Sequence, residues 1–302
     1  MQAMILAAGL GTRLQPHTLI RPKPLFPILN QPLLLLTIKR LQNLGFDHIV
    51  VNCHHLRKHI VDALDGLKGV IVQEEEVILG TGGGLRTALK YLRDEPLLVS
   101  NGDIYHTIDF LSLYRHHTAN RNLVTLAMHN NYRFNNVMVK DGKIASFDNR
   151  VEYTQLAFTG LHVIEPSVLQ DIEVKKFSCI IDRYRKLLKE GGEIDFYRSD
   201  DCFWTDMGTV DDYLSLHQGL LTGTIPCWKE IGPVRKPYCI AKRAKLPAHF
   251  ELSEWVCIGD ANIANGTRLQ RVVVWDDVSI PGGSRLGDMI VSSDYRKKTG
   301  SN

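Results

Sequence analysis

The sequence predicts an α/β fold built on an open, mainly parallel sheet with helices on both faces. The chain has 302 residues, 44% of them hydrophobic, which is enough for a sizeable core and for about two domains. Short apolar runs alternate with helix-like segments along the N-terminal part, and the first run leads into a glycine-rich turn. Strands that alternate with helices form parallel βαβ units, because each helix carries the chain back across the sheet.

The N-terminal elements follow in chain order. Residues 2–8 are a continuous apolar run, which is typical of a buried parallel strand. Pro32 and Gly45 bound an apolar-rich helix. The segments that follow alternate between strand and helix: HIVVNC (48–53), HHLRKHIVDALDGL (54–67), VIVQ (70–73), LRTALKYL (85–92) and PLLVSN (96–101).

The second half of the chain departs from this alternation. Asp141-Gly142 between two apolar runs predicts an antiparallel hairpin. Four prolines between Thr222 and Trp255 predict a linker, so we expect a catalytic domain at 1–222 and a second region at 223–302. Isolated aliphatic residues near a six-residue spacing after the linker predict a short left-handed β-helix of hexapeptide repeats. A stub of two or three coils favours packing or homo-oligomerisation rather than catalysis.

Composition excludes several classes of protein. Lys and Arg number 36 against 33 Asp and Glu, and this net charge of +3 argues against a nucleic-acid partner. The longest apolar stretch, 32–38, is far short of the ~20 residues of a membrane span, and the N-terminus lacks a basic signal-peptide region. Six cysteines without a Cys-x-x-Cys pair argue against a zinc site or a disulfide framework, so we expect a cytoplasmic protein.

The first fifty residues indicate an anionic ligand. Five cations precede the first acidic residue, Asp47: Arg13, Arg21, Lys23, Lys39 and Arg40. Glycines that let backbone N–H groups approach a ligand, together with nearby cations, suit a phosphate group at the carboxyl end of a sheet. A dinucleotide fingerprint is excluded because Leu14 stands where a small residue is needed and no acid follows about 20 residues later. The chain also has no P-loop motif.

The segments GLGTRLQPHT (9–18) and PKPLFP (22–27) resemble the signature of sugar-1-phosphate nucleotidylyltransferases. The resemblance implies a Rossmann-like mixed sheet of the nucleotide-diphospho-sugar transferase type. It implies that the first loop holds the nucleotide and that Arg13 and Lys23 are catalytic. Taken alone, Gly9 and Gly11 would be an ordinary strand-to-helix turn and Lys23 a solvated lysine. The loop residues implied to contact the nucleotide are Ala7, Ala8, Gly9, Gly11, Thr12 and Arg13.

Later segments match the same family in order. The glycine segment at 79–84 and the residue Gln73 before it would contact the nucleotide through Gln73, Gly80, Thr81 and Gly82. The residues implied to contact the sugar phosphate are Gly83, Asn101, Gly102, Thr159 and Gly160. Asp103 and Asp206 match the aspartates that hold Mg²⁺, although either alone would be read as a cap or turn residue.

The chain departs from the family at the sugar-phosphate anchor. Many members carry Glu-Lys-Pro after the hairpin, whereas this chain has SFDNR at 146–150. Arg150 is predicted to replace the missing lysine; Arg133 is a second candidate, and a solvated surface arginine is an equal alternative. His162, next to the sugar-facing strand segment, is interpreted as a hydrogen-bonded strand histidine.

The resemblance implies transfer of a nucleoside monophosphate from an NTP to a sugar 1-phosphate, with Mg²⁺ as cofactor. The glycine run and the missing Glu-Lys-Pro are most like N-acetylmuramate 1-phosphate uridylyltransferases. The tail is more like mannose-1-phosphate or heptose-1-phosphate guanylyltransferases, so GTP and UTP both stay open. The alternative from another class is a non-catalytic regulatory subunit that binds a nucleotide sugar.

Overall fold

The computed structural model describes residues 1–147 and 154–293. The chain forms two units, and neither is continuous in sequence. Unit 1 comprises Met1–Gly9 and Thr37–Trp204, and unit 2 comprises Leu10–Leu36 and Thr205–Asn302. This division differs from the predicted one at residue 222 because the segment after the first loop belongs with the C-terminal strands. The predicted boundary therefore stays a prediction.

The secondary structure runs through both units. The helices are α1 Leu33–Asn43, α2 Arg57–Leu64, α3 Gly80–Ala88, α4 Phe110–Asn120, α5 Ile180–Lys189 and α6 Val210–Thr222. The strands of unit 1 are β1 Gln2–Leu6, β4 His48–Cys53, β5 Val70–Glu74, β6 Leu97–Asn101, β7 Tyr105–His106, β8 Val124–His129, β9 Val137–Lys140, β10 Lys143–Ser146, β11 Gln155–Ile164 and β12 Asp195–Arg198. The strands of unit 2 are β2 Pro27–Ile28, β3 Gln31–Pro32, β14 Tyr238–Ile240, β15 Phe250–Ile258, β16 Asn262–Ile263, β17 Thr267–Val274, β18 Ser279–Ile280 and β19 Arg285–Val291. Strand β13 is Trp204–Thr205, and short 3-10 turns lie at Thr12–Leu14, His17–Leu19, Lys23–Leu25, Pro166–Leu169 and Lys229–Ile231.

Unit 1 is built on a mixed sheet with the strand order β5-β4-β1-β6-β11-β8-β12-β10-β9. Strands β5, β4, β1 and β6 are parallel, as the alternation of strands and helices predicted. Strand β11 runs antiparallel to β6 and β8, and β12 returns to a parallel pairing with β8. The parallel part of the sheet therefore places the ends of β1, β4, β5 and β6 at one edge.

The parallel strands are apolar along their length because both faces are covered. Met4, Val50 and Val99 are completely buried in a core that also contains residues of α3 and α5. Helix α4 contacts β8 and β11 and buries Phe110 and Leu113, which are not part of that core. The hairpin predicted at Asp141-Gly142 is confirmed, since β9 and β10 pair around two residues with positive φ of 50° and 77°.

Unit 2 contains the C-terminal strands, which pair in parallel. One sheet has the order β14-β15-β17-β19, and β16 pairs with β18. Phe250 pairs with Thr267 and Arg268 with Arg285, a step of 17 residues from strand to strand in each case. Helix α6 packs against β15, β17 and β19. The predicted linker between Thr222 and Trp255 contains β14 and the beginning of β15, so this region holds strands as well as connecting chain.

The segment 10–36 packs on these same strands. Asn30 Nδ2 donates to the carbonyl oxygen of Ile258 at 2.8 Å. The Phe26 ring meets the Trp275 ring edge to face, with centroids 4.7 Å apart. The tail was predicted to serve packing or homo-oligomerisation, and its packing partner includes the segment of this chain that carries Arg13 and Lys23.

Candidate functional site

The first ligand-type residues of unit 1 lie where β1 and β4 end. Asn52, the penultimate residue of β4, is 2% exposed. Its Oδ1 accepts a hydrogen bond from the backbone N–H of Ala7 at 2.8 Å, and its Nδ2 donates to Glu75 Oε1 at 2.8 Å. Asn52 therefore fixes the path of the chain as it enters the first glycine loop.

Gln73 and Glu75 extend this arrangement to the next strand, and with Asn52 they form what we call the amide network. Gln73 Nε2 donates to the carbonyl oxygen of Gly84 at 3.0 Å, and Glu75 Oε2 accepts from the N–H of Leu79 at 3.3 Å. Gln73 Oε1 is buried and has no hydrogen-bond partner among the described residues. The network thus ties the ends of β4 and β5 to helix α3 and leaves one acceptor unused.

Gly84 is a glycine because the amide network passes close to it. A Cβ added there would lie 2.9 Å from both Asn52 Nδ2 and Glu75 Oε1. By contrast, a Cβ at Gly9 would meet nothing within 4 Å, so packing of the protein does not require a glycine in the first loop at that position. The two glycine segments therefore differ: side chains packed nearby require a glycine at position 84, but not at position 9.

The second glycine segment is covered by the chain that precedes α5. The N–H groups of Gly82 and Gly83 donate to the carbonyl oxygen of Ser178 at 2.8 and 3.2 Å. Thr81 Oγ1 accepts from the N–H of Ile180 at 2.9 Å, and a Cβ at Gly80 would lie 2.6 Å from the Ser178 carbonyl oxygen. These contacts give the segment a packing role, and its contact with a ligand stays a prediction.

Asn101 and Gly102 lie at the end of β6, beside β11. Gly102 donates its N–H to the Leu6 carbonyl oxygen at 2.8 Å. A Cβ at Gly160, whose φ is 78°, would collide with the side-chain amide of Asn101. Asp103 follows directly and is half-buried. The sequence therefore places these predicted substrate residues together on two neighbouring strands.

Thr159 is completely buried on β11, and its hydroxyl is used within the fold. It donates to the Ala127 carbonyl oxygen at 2.8 Å and accepts from the Leu161 N–H at 3.2 Å. The carbonyl oxygen of Thr159 accepts from Trp204 Nε1 at 2.8 Å. Thr159 holds the strand in shape, and a direct contact with substrate stays a prediction.

In unit 2 the first loop turns at Gly11, which has a left-handed φ of 61° and precedes the 3-10 turn that contains Thr12 and Arg13. A Cβ at this position would lie 2.9 Å from Thr18 Cγ2 and 3.4 Å from Lys23 Cβ. The Thr18 hydroxyl donates to the Gly11 carbonyl oxygen at 3.1 Å. A glycine here lets the two halves of the motif, 9–18 and 22–27, lie against each other.

Arg13 and Asp206 form an ion pair although they are far apart in sequence. Arg13 Nη2 lies 3.2 Å from Asp206 Oδ2, and the two side chains are 59% and 19% exposed. Asp206 Oδ1 also accepts from the N–H of Gly208 at 3.0 Å. The pair joins the first motif to Asp206, which the resemblance implied to act in the same site.

Lys23 is not a solvated loop lysine. It begins the 3-10 turn Lys23–Leu25 between Pro22 and Pro24, and it is only 5% exposed. A lysine is almost never so buried without a compensating interaction. Its position next to Gly11 places a buried cation beside the loop.

Two predictions concerned the sugar-phosphate anchor. Arg150 lies outside the described residues. The guanidinium of Arg133 lies 5.0 Å from the centre of the Phe134 ring, a cation–π contact. His162 corrects an expectation, because it is buried but neither ring nitrogen has a hydrogen-bond partner among the described residues. Burial, with a smaller contribution from His117, lowers the pKa of His162 to about 3.

Sequence reasoning missed Asn52 and gave Glu75 no particular role among three neighbouring glutamates. The available signal was a polar residue near the end of an apolar strand, HIVVNC, in a sheet whose strands are otherwise apolar. A buried asparagine needs partners, and the strand end is where backbone N–H groups are free to supply them.

The predicted Mg²⁺ ligands have suitable chemistry, since Mg²⁺ prefers oxygen ligands and usually takes one or two carboxylates together with substrate phosphates. Asp206 accepts hydrogen bonds on both oxygens, so it is held in one orientation. No group of three or more His, Cys, Asp or Glu side chains that could hold a metal occurs in the described part of the chain. The residues thus fit a metal bound jointly with substrate.

The described part of the chain has no helix long and apolar enough to cross a membrane.

Comparison with known proteins gives a family and several relatives. The family described as nucleotidyl transferase matches residues 2–223. A mannose-1-phosphate guanylyltransferase of Mycobacterium tuberculosis is 28% identical, over 93% of this chain and 81% of that protein. An N-acetylmuramate alpha-1-phosphate uridylyltransferase of Neisseria meningitidis is 32% identical, over 70% of this chain and 94% of that protein.

Solved structures show the same fold. The inositol-1-phosphate CTP transferase of T. maritima superposes with a TM-score of 0.60 at 18% identity, over 75% of this chain and 98% of that one. At this identity the likeness concerns the fold alone. It agrees with the mixed sheet of unit 1, which the sequence predicted.

Proposed function

Since the chain belongs to the nucleotidyl transferase family, we propose that it transfers a nucleoside monophosphate from an NTP to a sugar 1-phosphate and releases pyrophosphate. The enzyme class, a sugar-1-phosphate nucleotidyltransferase, is the one that the sequence predicted. The observation that carries the proposal is the ion pair between Arg13 and Asp206, together with the buried Lys23 that lies against Gly11 of the same motif. The ion pair joins two segments that lie 193 residues apart in the sequence.

In this reaction an oxygen of the sugar phosphate forms a bond to the α-phosphorus of the NTP. The bond from that phosphorus to the bridging oxygen breaks in line with the attack, and pyrophosphate leaves with the electron pair. No strong general base is needed, because a phosphate monoester is largely dianionic at pH 7. Catalysis then depends on positioning and on neutralising charge.

The cations of unit 2 have distinct proposed roles. Lys23 neutralises the phosphoryl oxygens between the nucleophile and the leaving group. Arg13, which is more exposed, stabilises the departing pyrophosphate, for which its planar donors suit two oxygens at once. The N–H groups of the first glycine loop hold the triphosphate.

Asp103 and Asp206 are proposed to hold Mg²⁺ together with substrate oxygens. When bound, the metal supplies positive charge that offsets the charge of the phosphates. Asp206 is oriented for this by the N–H of Gly208 and by Arg13. Arg13, which is paired with Asp206 in this structure, would then have its remaining guanidinium donors available for pyrophosphate oxygens.

The substrate pair is proposed at the level of a class. The sugar is of the mannose, N-acetylmuramate or heptose type, and the NTP is GTP or UTP. The unused acceptor of Gln73 supports a nucleobase contact near the end of β5, but both bases have N–H donors. The amide network alone therefore does not choose between them.

The test is a panel of GTP, UTP, CTP, ATP and dTTP against several sugar 1-phosphates with Mg²⁺, measured by pyrophosphate release. We expect release with one pair at a rate well above the others. No release with any pair, in a protein that still binds a nucleotide sugar, would favour the regulatory subunit instead.

Two further proposals concern the rest of the chain. The 17-residue step between parallel strands in unit 2 supports a short left-handed β-helix, which typically repeats in coils of hexapeptides. Homo-oligomerisation through this region is proposed on the ground that a short coil stack leaves an open end. Light scattering of the full chain tests it. The cytoplasmic location stays a prediction.

A further inference from the structure

Two cysteines of unit 2 lie side by side on neighbouring strands. Cys239 of β14 pairs in register with Cys257 of β15, and the strands are parallel. Paired residues on adjacent strands are about 4.8 Å apart and point to the same face. This separation lies within the Cα distances of about 4.4–6.8 Å that a disulfide bridges.

One asparagine contacts both thiols. Asn30 Nδ2 donates to Cys239 Sγ at 3.5 Å, and Cys257 Sγ donates to Asn30 Oδ1 at 3.1 Å. Because the two polar atoms of an amide are close together, these contacts hold the two sulfur atoms near each other. Asn30 lies in the turn between β2 and β3, in the segment that follows Lys23.

The two thiols differ in exposure and in acidity. Cys257 is completely buried, whereas Cys239 is half-buried. The neighbouring Cys257 thiol lowers the pKa of Cys239 below its ordinary value, while burial raises the pKa of Cys257. Cys239 is thus the thiol that a reagent meets first and the one that ionises first, and Cys257 is placed behind it.

We propose that Cys239 and Cys257 are an oxidative modification site, at which a hydroperoxide converts the two thiols into a reversible disulfide. The Cys239 thiolate attacks one oxygen of the peroxide, breaking the O–O bond and giving a sulfenic acid and water or an alcohol. The Cys257 sulfur then attacks the Cys239 sulfur. Its proton and the sulfenic hydroxyl leave as a second water, and each thiol has given up one electron.

The local structure can accommodate the bond. β14 has three residues and lies at the edge of its sheet, with β15 as its one neighbour among the described strands. A local adjustment that brings the two sulfur atoms together can therefore be made in this short edge strand. Oxidation also removes the S–H donor of Asn30 Oδ1, so the turn between β2 and β3 loses one of its bonds to the C-terminal strands.

The test is treatment of the reduced full-length chain with equimolar hydrogen peroxide, alkylation of the remaining thiols and tryptic digestion. Cleavage after Lys and Arg separates the two cysteines, since Cys239 lies in the peptide 236–242 and Cys257 in 246–268. We expect these two peptides joined, two hydrogen masses below their sum, and separated again by dithiothreitol. Cys202 and Cys227, which share the peptide 199–229, should be alkylated.

Three variants make the outcome decisive. In Cys257→Ser the Cys239 sulfenic acid should persist and react with dimedone, and in Cys239→Ser the peptide 246–268 should stay alkylated. The matched control Cys227→Ser, an exposed cysteine, should form the same link in the same yield. A link from Cys227 to Cys239, or a wild-type Cys239 oxidised to the sulfinic acid beside an alkylated Cys257, would overturn the proposal.

Discussion

The two units use their ligand-type residues in opposite ways. In unit 1, Asn52, Gln73 and Glu75 are buried and are hydrogen-bonded to one another and to backbone groups. In unit 2, Arg13 and Asp206 form a partly exposed ion pair, and Lys23 is a buried cation. The predicted ligand residues of unit 1 therefore fix the path of the chain, and those of unit 2 carry charge. Substitutions in the first should affect binding, and substitutions in the second should affect turnover.

The largest expected effect comes from removing the C-terminal strands. Truncation after Leu221 deletes Trp275 and Ile258, which contact Phe26 and Asn30, so the segment 10–36 loses part of the surface on which it packs. We expect loss of all pyrophosphate release together with loss of cooperative unfolding of unit 2. Circular dichroism on heating and the activity assay measure the two.

The control is a chain that ends at Ser293, which keeps every described strand and should retain wild-type activity. A chain ending at Leu221 that is folded and active would show that the charges of unit 2 are held without the tail. It would also favour the boundary predicted from sequence at residue 222.

Replacing Lys23 tests the role of charge most directly. Lys23→Ala should lower kcat by about 10²- to 10³-fold with a smaller effect on KM, because its interaction strengthens as charge develops on the phosphoryl oxygens. Lys58→Ala, at a lysine 82% exposed on α2, is the matched control and should leave both parameters unchanged. A change confined to KM would make Lys23 a ground-state binding residue.

Asp103 of unit 1 and Asp206 of unit 2 are both proposed to bind Mg²⁺, so replacing each in turn compares the two units in the same role. Asp103→Asn and Asp206→Asn should each raise the Mg²⁺ concentration for half-maximal rate by roughly 10- to 100-fold, since each removes one charged oxygen ligand. Asp211→Asn, at an exposed position in the first turn of α6, should not change it. Wild-type Mg²⁺ dependence in either variant would remove that residue from the proposed metal site.

A substitution in the amide network should behave differently. Gln73→Ala removes the bond to the Gly84 carbonyl oxygen and the unused acceptor, so we expect KM for the NTP to rise about tenfold with kcat within about twofold of wild type. Gln42→Ala, which removes a surface bond to the Lys68 carbonyl oxygen, is the control. A fall in kcat at unchanged KM would assign Gln73 to the chemical step. It would contradict the expectation that substitutions in unit 1 affect binding and those in unit 2 affect turnover.

The sequence predicted what depends on local pattern. The strand His48–Cys53, the hairpin at Asp141-Gly142 and the parallel edge of the sheet follow from apolar periodicity and turn chemistry. The family followed from the spacing of glycine, arginine and lysine between Gly9 and Pro27, and it is confirmed by the match over residues 2–223.

The parts that sequence reasoning missed depend on contacts between distant segments. Nothing near Asn30 or Phe26 indicates that they pack on strands more than 200 residues later, so the division into units differs from the predicted boundary. Ser178 covers the second glycine segment through a carbonyl oxygen, which any residue carries. Backbone groups leave no signature in the sequence, and the packing role of Gly82 and Gly83 was therefore hidden.

Buried histidines give the smallest and cleanest comparison between the units. In unit 2, His217 Nδ1 donates to the Tyr213 carbonyl oxygen at 3.0 Å and Nε2 accepts from the Leu29 N–H at 3.4 Å. His162 of unit 1 has no such partner among the described residues. His217→Phe should therefore lower the free energy of unfolding at pH 7 by about 1–3 kcal/mol, whereas His162→Phe should change it by less than about 1 kcal/mol.

The pH dependence of His162→Phe completes this comparison. Burial lowers the pKa of His162 to about 3 in the folded protein, against about 6.5 in the unfolded chain. Between these values the unfolded state binds the extra proton, so the histidine makes the wild type lose about 1.4 kcal/mol of stability for each unit of falling pH. His162→Phe abolishes this contribution. In urea unfolding at pH 7, 6 and 5, the free energy of unfolding of the variant should therefore rise relative to that of the wild type as the pH falls below 6.5. Parallel stability curves for the two proteins would mean that His162 has the same pKa in the folded and the unfolded state, against the effect of burial.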